Sequence, residues 1–419
     1  MMTSSRRAYV WIWLPGQTSP VVAGLVERDD QERYHFTYGR RYLARPDAIS
    51  FFPDELPLQP GRQEQADSAL PSCLRDASPD AWGRRVIINR LTGQKGEAAD
   101  ADFNELVYLL ESGSDRIGAL DFQQSSTDYR PRESQTATLD ELQEASAYVE
   151  AGEPVPPALE QAIRHGSSIG GARPKALLDD RDRKLVAKFS SSTDLYSVVK
   201  AEFVAMRLAR QVGLDVAPVE MTRSLGKDVL LVERFDRVKT AEGWSRCTLL
   251  SALTLFGLDE MMARYASYEE LAHRVRAEFD QPEKTLRELL GRIVFNVLCG
   301  NTDDHARNHA AFWDGVSYRL TPAYDICPQS RTGGEATQAM LLYGQERRSQ
   351  LVHCLAAAER FGLSHIQARE IINQQIATIH DHWRAICDEA DLSPVDRDYL
   401  WGRQFLNPFA LEGYTEFCH

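Results

Sequence analysis

The sequence predicts an α+β fold in which a β-rich first half precedes a mostly helical second half. Three observations predict it. Residues 8–58 carry short apolar runs broken by turn signals: Tyr9–Leu14 and Val21–Glu27 flank Pro15-Gly16, and Arg33–Tyr38 alternates ahead of Gly39. Lys175–Leu178, Leu185–Phe189 and Asp228–Phe235 read as three more strands. From Thr248 onward the apolar residues recur at i, i+3 and i+4, in Tyr268–Phe279, Lys284–Cys299, Leu351–Phe361 and Ser364–Ala390.

Composition narrows the class. A chain of 419 residues can hold two or three domains, and 43% hydrophobic with 26% charged residues is ordinary for a globular protein. The net charge of −13 argues against a nucleic-acid-binding body, so any DNA contact would need a local basic patch or a basic partner. Seven scattered cysteines without a C-x-x-C pair read as reduced thiols. No stretch approaches the ~18 apolar residues of a membrane span. A cytoplasmic protein is expected, with no membrane partner.

Taken in order, the β-rich start is followed by Ser78-Pro79-Asp80, which predicts a helix with Ser78 as its cap. Arg84, Arg85 and Arg90 then form either a basic patch or, as helix faces usually do, a solvated surface. Phe122–Gln135 lacks periodicity and reads as a linker. Thr138-x-x-Glu141 is a capping box for a short helix ending near Gly152.

Next comes a loop containing Gly166, Gly170 and Gly171, whose backbone amides could approach phosphate oxygens; a plain Gly-rich turn fits the same residues. The two strands after it form a hairpin with Asp179–Asp182 at its tip, and Lys188 lies on the second strand. A lysine so placed can reach nucleotide phosphates when a glutamate on the next helix holds it. Glu202 stands beside the apolar stripe of the expected helix Leu195–Val212 and is the candidate partner. The plainer alternative is a rim glutamate and a solvated lysine. Where the strand Asp228–Phe235 ends, Glu233, Arg234 and Phe235 fall where a kinase hinge would contact adenine; an ordinary strand end fits the same residues.

The chemistry concentrates in Asn301–Asp325. Asp303 and Asn308 stand in a D-x-x-x-x-N arrangement, the spacing at which a kinase loop sets a proton-accepting Asp and a magnesium-binding Asn. Ala310–Trp313 and Val316–Leu320 flank Asp314-Gly315, a strong hairpin signal. Folding back there would return Asp325 to Asn308 and gather two oxygen ligands for magnesium. Asp304 competes for the role of base, but it would leave only three residues before Asn308, so the spacing favours Asp303.

These motifs, in this order, resemble the HipA-like serine/threonine kinases, the toxin halves of bacterial toxin–antitoxin pairs. The resemblance rests on SIGGARPK (Ser168–Lys175), VAKF (Val186–Phe189), VERFDR (Val232–Arg237), NTDDHARN (Asn301–Asn308) and LTPAYDI (Leu320–Ile326), with YLARPDAISF (Tyr42–Phe51) in the β-rich start. It implies a bilobal, protein-kinase-like fold: an N-terminal subdomain over 1–125, a kinase N-lobe over 126–236 and a helical C-lobe over 237–419. By this resemblance Asp303 looks like the catalytic residue and Asn308 and Asp325 the metal ligands. Lys188, Glu233, Phe235, Gly170 and Gly171 look like nucleotide contacts, with Glu202 supporting the lysine. Ser168, or its neighbour Ser167, looks like a site of autophosphorylation that switches the kinase off. ATP and Mg2+ are the implied cofactors. The implied partners are a helix-turn-helix antitoxin of the HipB type, operator DNA through that antitoxin, and a protein substrate such as an aminoacyl-tRNA synthetase.

Competing readings keep the same residues in view. A small-molecule or lipid kinase would use Asp303, Asn308 and Asp325 in the same roles. A co-repressor or scaffold would not need them. A metallohydrolase built on Asp304, His305 and His309 lacks an H-E-x-x-H or third-ligand motif.

Overall fold

The structure, a computed structural model, describes residues 5–65, 69–92, 103–132, 137–168, 171, 173–191, 194, 196–331 and 333–414. The chain divides into two compact units. The first comprises 1–191, 223–250 and 312–316; the second comprises 192–222, 251–311 and 317–419.

The first unit opens on an antiparallel sheet whose strands lie in the order Arg62–Glu64, Tyr34–Tyr38, Val21–Arg28, Arg7–Ile12, Leu120–Gln123. Its aromatic residues pack as a cluster: the Phe36 and Tyr38 rings meet edge to face at 4.7 Å, and Tyr38 stacks on Tyr42 at 5.7 Å. The helix expected to start at Ser78 runs Ala81–Thr92. Ser78 therefore sits too early to cap it, and its hydroxyl instead lies 3.4 Å from the Glu105 carboxylate. The arginines of that helix form no basic patch and are not simply solvated. Arg84 pairs with Glu105 and Arg90 with Glu111, each at 2.7 Å, and Arg85 lies over the Trp82 ring. The stretch read as a linker is also pinned down through residue 132. Tyr129 donates to the Asp121 carboxylate at 3.0 Å and Arg132 does so at 2.8 Å.

A second sheet in this unit pairs Lys175–Asp180 with Arg183–Phe189, and that strand with Lys227–Glu233. The capping box at Thr138 and Glu141 forms as expected and opens the helix Leu139–Ala151, which Gly152 ends at φ +72°. Trp82, Val86, Leu142, Val149, Ala176, Phe189 and Val229 share one buried core, so two helices cover a face of this sheet. Trp82 is fully buried and spends its indole N–H on the Lys175 carbonyl at 2.8 Å.

The second unit is helical. Its main helices are Val198–Gln211, Tyr268–Glu278, Pro282–Cys299, Leu351–Ala356 and His365–Glu389. Pro282 starts the third, where its missing N–H has no helical partner to lose. Leu289 through Cys299 are all buried. That helix stops at Gly300, with φ +71°, where an added Cβ would stand 2.8 Å from the Gln404 carbonyl. Only glycine fits this turn, which hands the chain to the segment rich in candidate residues. No helix among the described residues is long and apolar enough to cross a membrane.

Candidate active site

In the second unit, the buried end of Pro282–Cys299 leads into Asn301, which is buried and donates its amide to the Asn296 side chain at 3.0 Å. The next residues split into two chemical types. Asp304 is buried, and three donors converge on its carboxylate: the Tyr268 hydroxyl, Asn296 Nδ2 at 2.7 Å and His309 Nε2 at 2.8 Å. Burial opposes its ionisation, but His309 and the Tyr268 hydrogen bond outweigh that and hold its pKa below the usual carboxylate value. Asp304 is thus committed to holding the loop. Sequence reasoning demoted Asp304 on spacing alone and missed Tyr268, which lies 36 positions upstream with no motif to mark it.

Asp303 is the opposite case. Its residue is exposed, yet the surrounding protein desolvates the carboxyl enough to raise its pKa. Asp325 and Asp304 push it the same way, while His305 pulls it down. A carboxylate open on one side, raised in pKa and flanked by another acid is chemically suited to accept a proton. Asn308 is buried beside it, with Nδ2 3.4 Å from the Asp303 carbonyl.

The expected hairpin forms from Ala310–Trp313 and Tyr318–Leu320. Its turn has Gly315 at φ +97° and the Val316 N–H on the Asp314 carboxylate at 2.8 Å. At its base the Thr321 N–H reaches the Ala310 carbonyl at 3.0 Å. The chain then returns, and the Tyr324 hydroxyl donates to the Arg307 carbonyl at 2.7 Å. The structure therefore brings Asp303, Asn308 and Asp325 onto two adjoining loops. Asp325 has φ +59°, a left-handed conformation rare outside glycine. Asn308 and Asp325 offer hard oxygen donors, the kind magnesium takes one or two at a time alongside phosphate oxygens.

The phosphate and adenine candidates lie in the first unit. Lys188 is buried on Arg183–Phe189, directly across the strand pair from Lys175. The Lys175 ammonium reaches Gly171 closely, for a Cβ there would lie 2.1 Å from Nζ. Gly171 takes φ +95°, and Gly170 lies outside the described residues. Glu233 ends its strand opposite Leu185, and the Phe235 ring meets Phe312 edge on at 5.9 Å. Arg234, expected beside adenine, turns its side chain inward: it pairs with Asp236 at 2.8 Å and Asp115 at 3.0 Å. Arg237 joins both acids at 2.7 Å. Burial works against ionising Asp236, but the two guanidiniums prevail and lower its pKa to about 2. This network fixes the chain just past Glu233; its Asp115 partner, more than a hundred positions away, carries no sequence signal.

Ser167 and Ser168 are both buried. Ser167 accepts from the Gly113 N–H at 3.0 Å and donates to the Arg164 carbonyl at 2.7 Å; Ser168 donates to the Asp115 carbonyl at 3.2 Å. Glu202 is buried on Val198–Gln211 in the second unit, so it and Lys188 belong to different units.

Residues 167–383 match the family model of the HipA-like C-terminal domain, and residues 12–123 match that of the HipA N-terminal domain. A Sinorhizobium fredii protein named "Putative kinase Y4mE" is 31% identical over 147 residues, 34% of this chain and 33% of that protein. The serine/threonine-protein kinase toxin HipA of Shewanella oneidensis is 26% identical over 184 residues, 38% of this chain and 42% of that protein. The chain thus spans well under two thirds of the length of these relatives. Among solved structures, the complex of Shewanella oneidensis HipA, HipB and operator DNA aligns with a TM-score of 0.70, at 19% identity, over 94% of this chain and 93% of the other. That likeness establishes the α+β kinase-like fold.

Proposed function

The chain belongs to the HipA-like kinase family, and on that premise we propose that it is an ATP- and Mg2+-dependent protein serine/threonine kinase of the toxin type. The observation that carries the reading is the division of labour between neighbouring acids. Asp304 is consumed by three buried donors, whereas Asp303 is open, raised in pKa and grouped with Asn308 and Asp325.

In this reading Asp303 accepts the proton of the substrate hydroxyl as it attacks the terminal phosphate. Asn308 and Asp325 would hold magnesium, which when bound neutralises charge on the nucleotide phosphates. Lys188 contacts those phosphates. Backbone amides at Gly170 and Gly171 approach the phosphates, and Glu233 and Phe235 meet the adenine. The parts follow the order 1–125, 126–236 and 237–419 as N-terminal subdomain, nucleotide lobe and catalytic lobe. Ser168 is the proposed autophosphorylation site, with Ser167 the alternative. A phosphoserine adds about −1.5 to −2 charges, which would repel bound nucleotide phosphates and stop the enzyme.

The wider role follows from the family. The enzyme acts in the cytoplasm on a translation component such as an aminoacyl-tRNA synthetase, and a helix-turn-helix antitoxin neutralises it. Support for that partner comes from the fold it shares with a protein solved together with HipB and operator DNA. With a net charge of −13, this chain would meet DNA chiefly through such a partner.

The test is direct. Purified protein incubated with Mg-ATP should gain phosphate on Ser168 or Ser167 by peptide mass spectrometry, and Asp303→Ala should abolish it. Undiminished incorporation in that variant would sink the assignment.

A further inference from the structure

Three large apolar side chains of the second unit stand exposed in a short segment tied to the proposed catalytic loop. Within the exposed run Asp259–Tyr265, Met261 is 86% exposed, Tyr265 52% and Met262 41%. Scattered exposed apolar residues need no explanation, but three within five positions do.

The run is also fastened to the catalytic loop at both ends. At its start, Glu260 pairs with Arg307 at 3.0 Å, and Arg307 stands immediately before Asn308. Just beyond its end, Tyr268 gives its hydroxyl to Asp304, the neighbour of Asp303. In between, Arg347 donates to the Arg264 carbonyl at 2.9 Å, and the Arg264 guanidinium lies over the Tyr265 ring at 4.9 Å. The backbone is therefore held while the methionine side chains stay outside. An ordered backbone lowers the entropy cost of docking, and unbranched methionine adapts to varied apolar partners.

We propose that Met261, Met262 and Tyr265 form a docking ledge for the protein substrate, receiving an aliphatic or aromatic side chain close in sequence to the acceptor serine or threonine. The inference rests on the kinase reading above. Position names the occupant: whatever offers a hydroxyl to Asp303 arrives at the loop to which this ledge is tied. Chemistry narrows it further, since methionine and tyrosine side chains suit an apolar residue of a polypeptide and not the phosphates of a nucleotide. Selection at the ledge would add a sequence preference that the base and metal ligands cannot supply.

The probe is a positional-scanning peptide library with one fixed serine, assayed with Mg-ATP and the full chain. Wild type should select apolar residues at one or more positions flanking the serine. The double variant Met261→Glu, Met262→Glu should lose that selection and raise KM for the selected peptide about tenfold, with KM for ATP and phosphate uptake on Ser168 unchanged. Both side chains are exposed, so the variant should keep its thermal midpoint. An unchanged selection profile in the variant overturns the ledge. So does a wild type that takes up phosphate on its own serine yet shows no apolar preference in peptides. Wild type incorporating no phosphate at all would bring down the kinase reading, and the ledge with it.

Discussion

Replacing Asp304 by alanine separates the two acids of the loop most sharply. The substitution strands Tyr268 Oη, Asn296 Nδ2 and His309 Nε2 inside the protein. Each hydrogen bond to an ionised acceptor contributes about 1.5–3 kcal/mol, and breaking a buried charged cluster by removing one member costs about 3–5 kcal/mol. In a domain of this size each kcal/mol moves the melting midpoint by about 2–4 °C, so a fall of about 10 °C is expected. Asp303→Ala removes an exposed side chain, and burial and the neighbouring acids push its carboxyl pKa up. Its stability should stay within about 0.5 kcal/mol of wild type while phosphoryl transfer falls about a hundredfold or more. Differential scanning calorimetry and radiolabel incorporation on both variants make the comparison. Equal destabilisation by the two substitutions, or near-normal transfer in Asp303→Ala, refutes the division of roles.

Other expectations follow from the same geometry. Asp325→Asn should abolish Mg2+-dependent nucleotide binding in a calorimetric titration; an unchanged Mg-ATP affinity counts against Asp325 as a ligand. Lys188→Met should raise KM for ATP about tenfold or more with the melting midpoint little changed, measured by initial rates against nucleotide concentration. Asp236 has its pKa lowered from 3.8 to about 2 by its two arginines, with burial opposing them, which amounts to about 2 kcal/mol of stability. Because the folded value is the lower one, that stability is complete above pH 3.8 and is lost as pH falls towards 2. Asp236→Asn should therefore flatten the acid limb of a stability–pH curve, and an unaltered limb would discount the network.

Local patterns carried the legible part of the molecule. The Thr138 capping box, the Lys175–Phe189 hairpin and the Asp314-Gly315 turn each depend on residues within a few positions, and all three form. The Asp314-Gly315 turn predicts that the chain folds back, and it does: Tyr324, beside Asp325, reaches the carbonyl of Arg307, beside Asn308. Ser78 misled because its Ser-Pro pair looks like a helix start, while the helix begins at Ala81. What sequence alone could not show were pairings between distant residues. Tyr268 with Asp304 and Asp115 with Arg234 and Arg237 leave no period, because burial and charge match them only after folding. The same applies to Arg84 and Arg90, whose acidic partners lie 21 positions away.

The enclosure of Ser167 and Ser168 has a consequence in time. Neither hydroxyl can meet a phosphate donor while it bonds to the 113–115 segment and Arg164. The proposed phosphorylation of either serine would have to wait for an open excursion. If parting those hydrogen bonds costs about 1–3 kcal/mol, only about one molecule in six to one in 160 is open at any instant. Under the proposed autophosphorylation, the rate of self-silencing would be the chemical rate multiplied by that fraction. The enclosure would then act as a slow fuse: a freshly made enzyme would have an interval of full activity before it shut itself off, and the serine contacts would set how long that interval lasts.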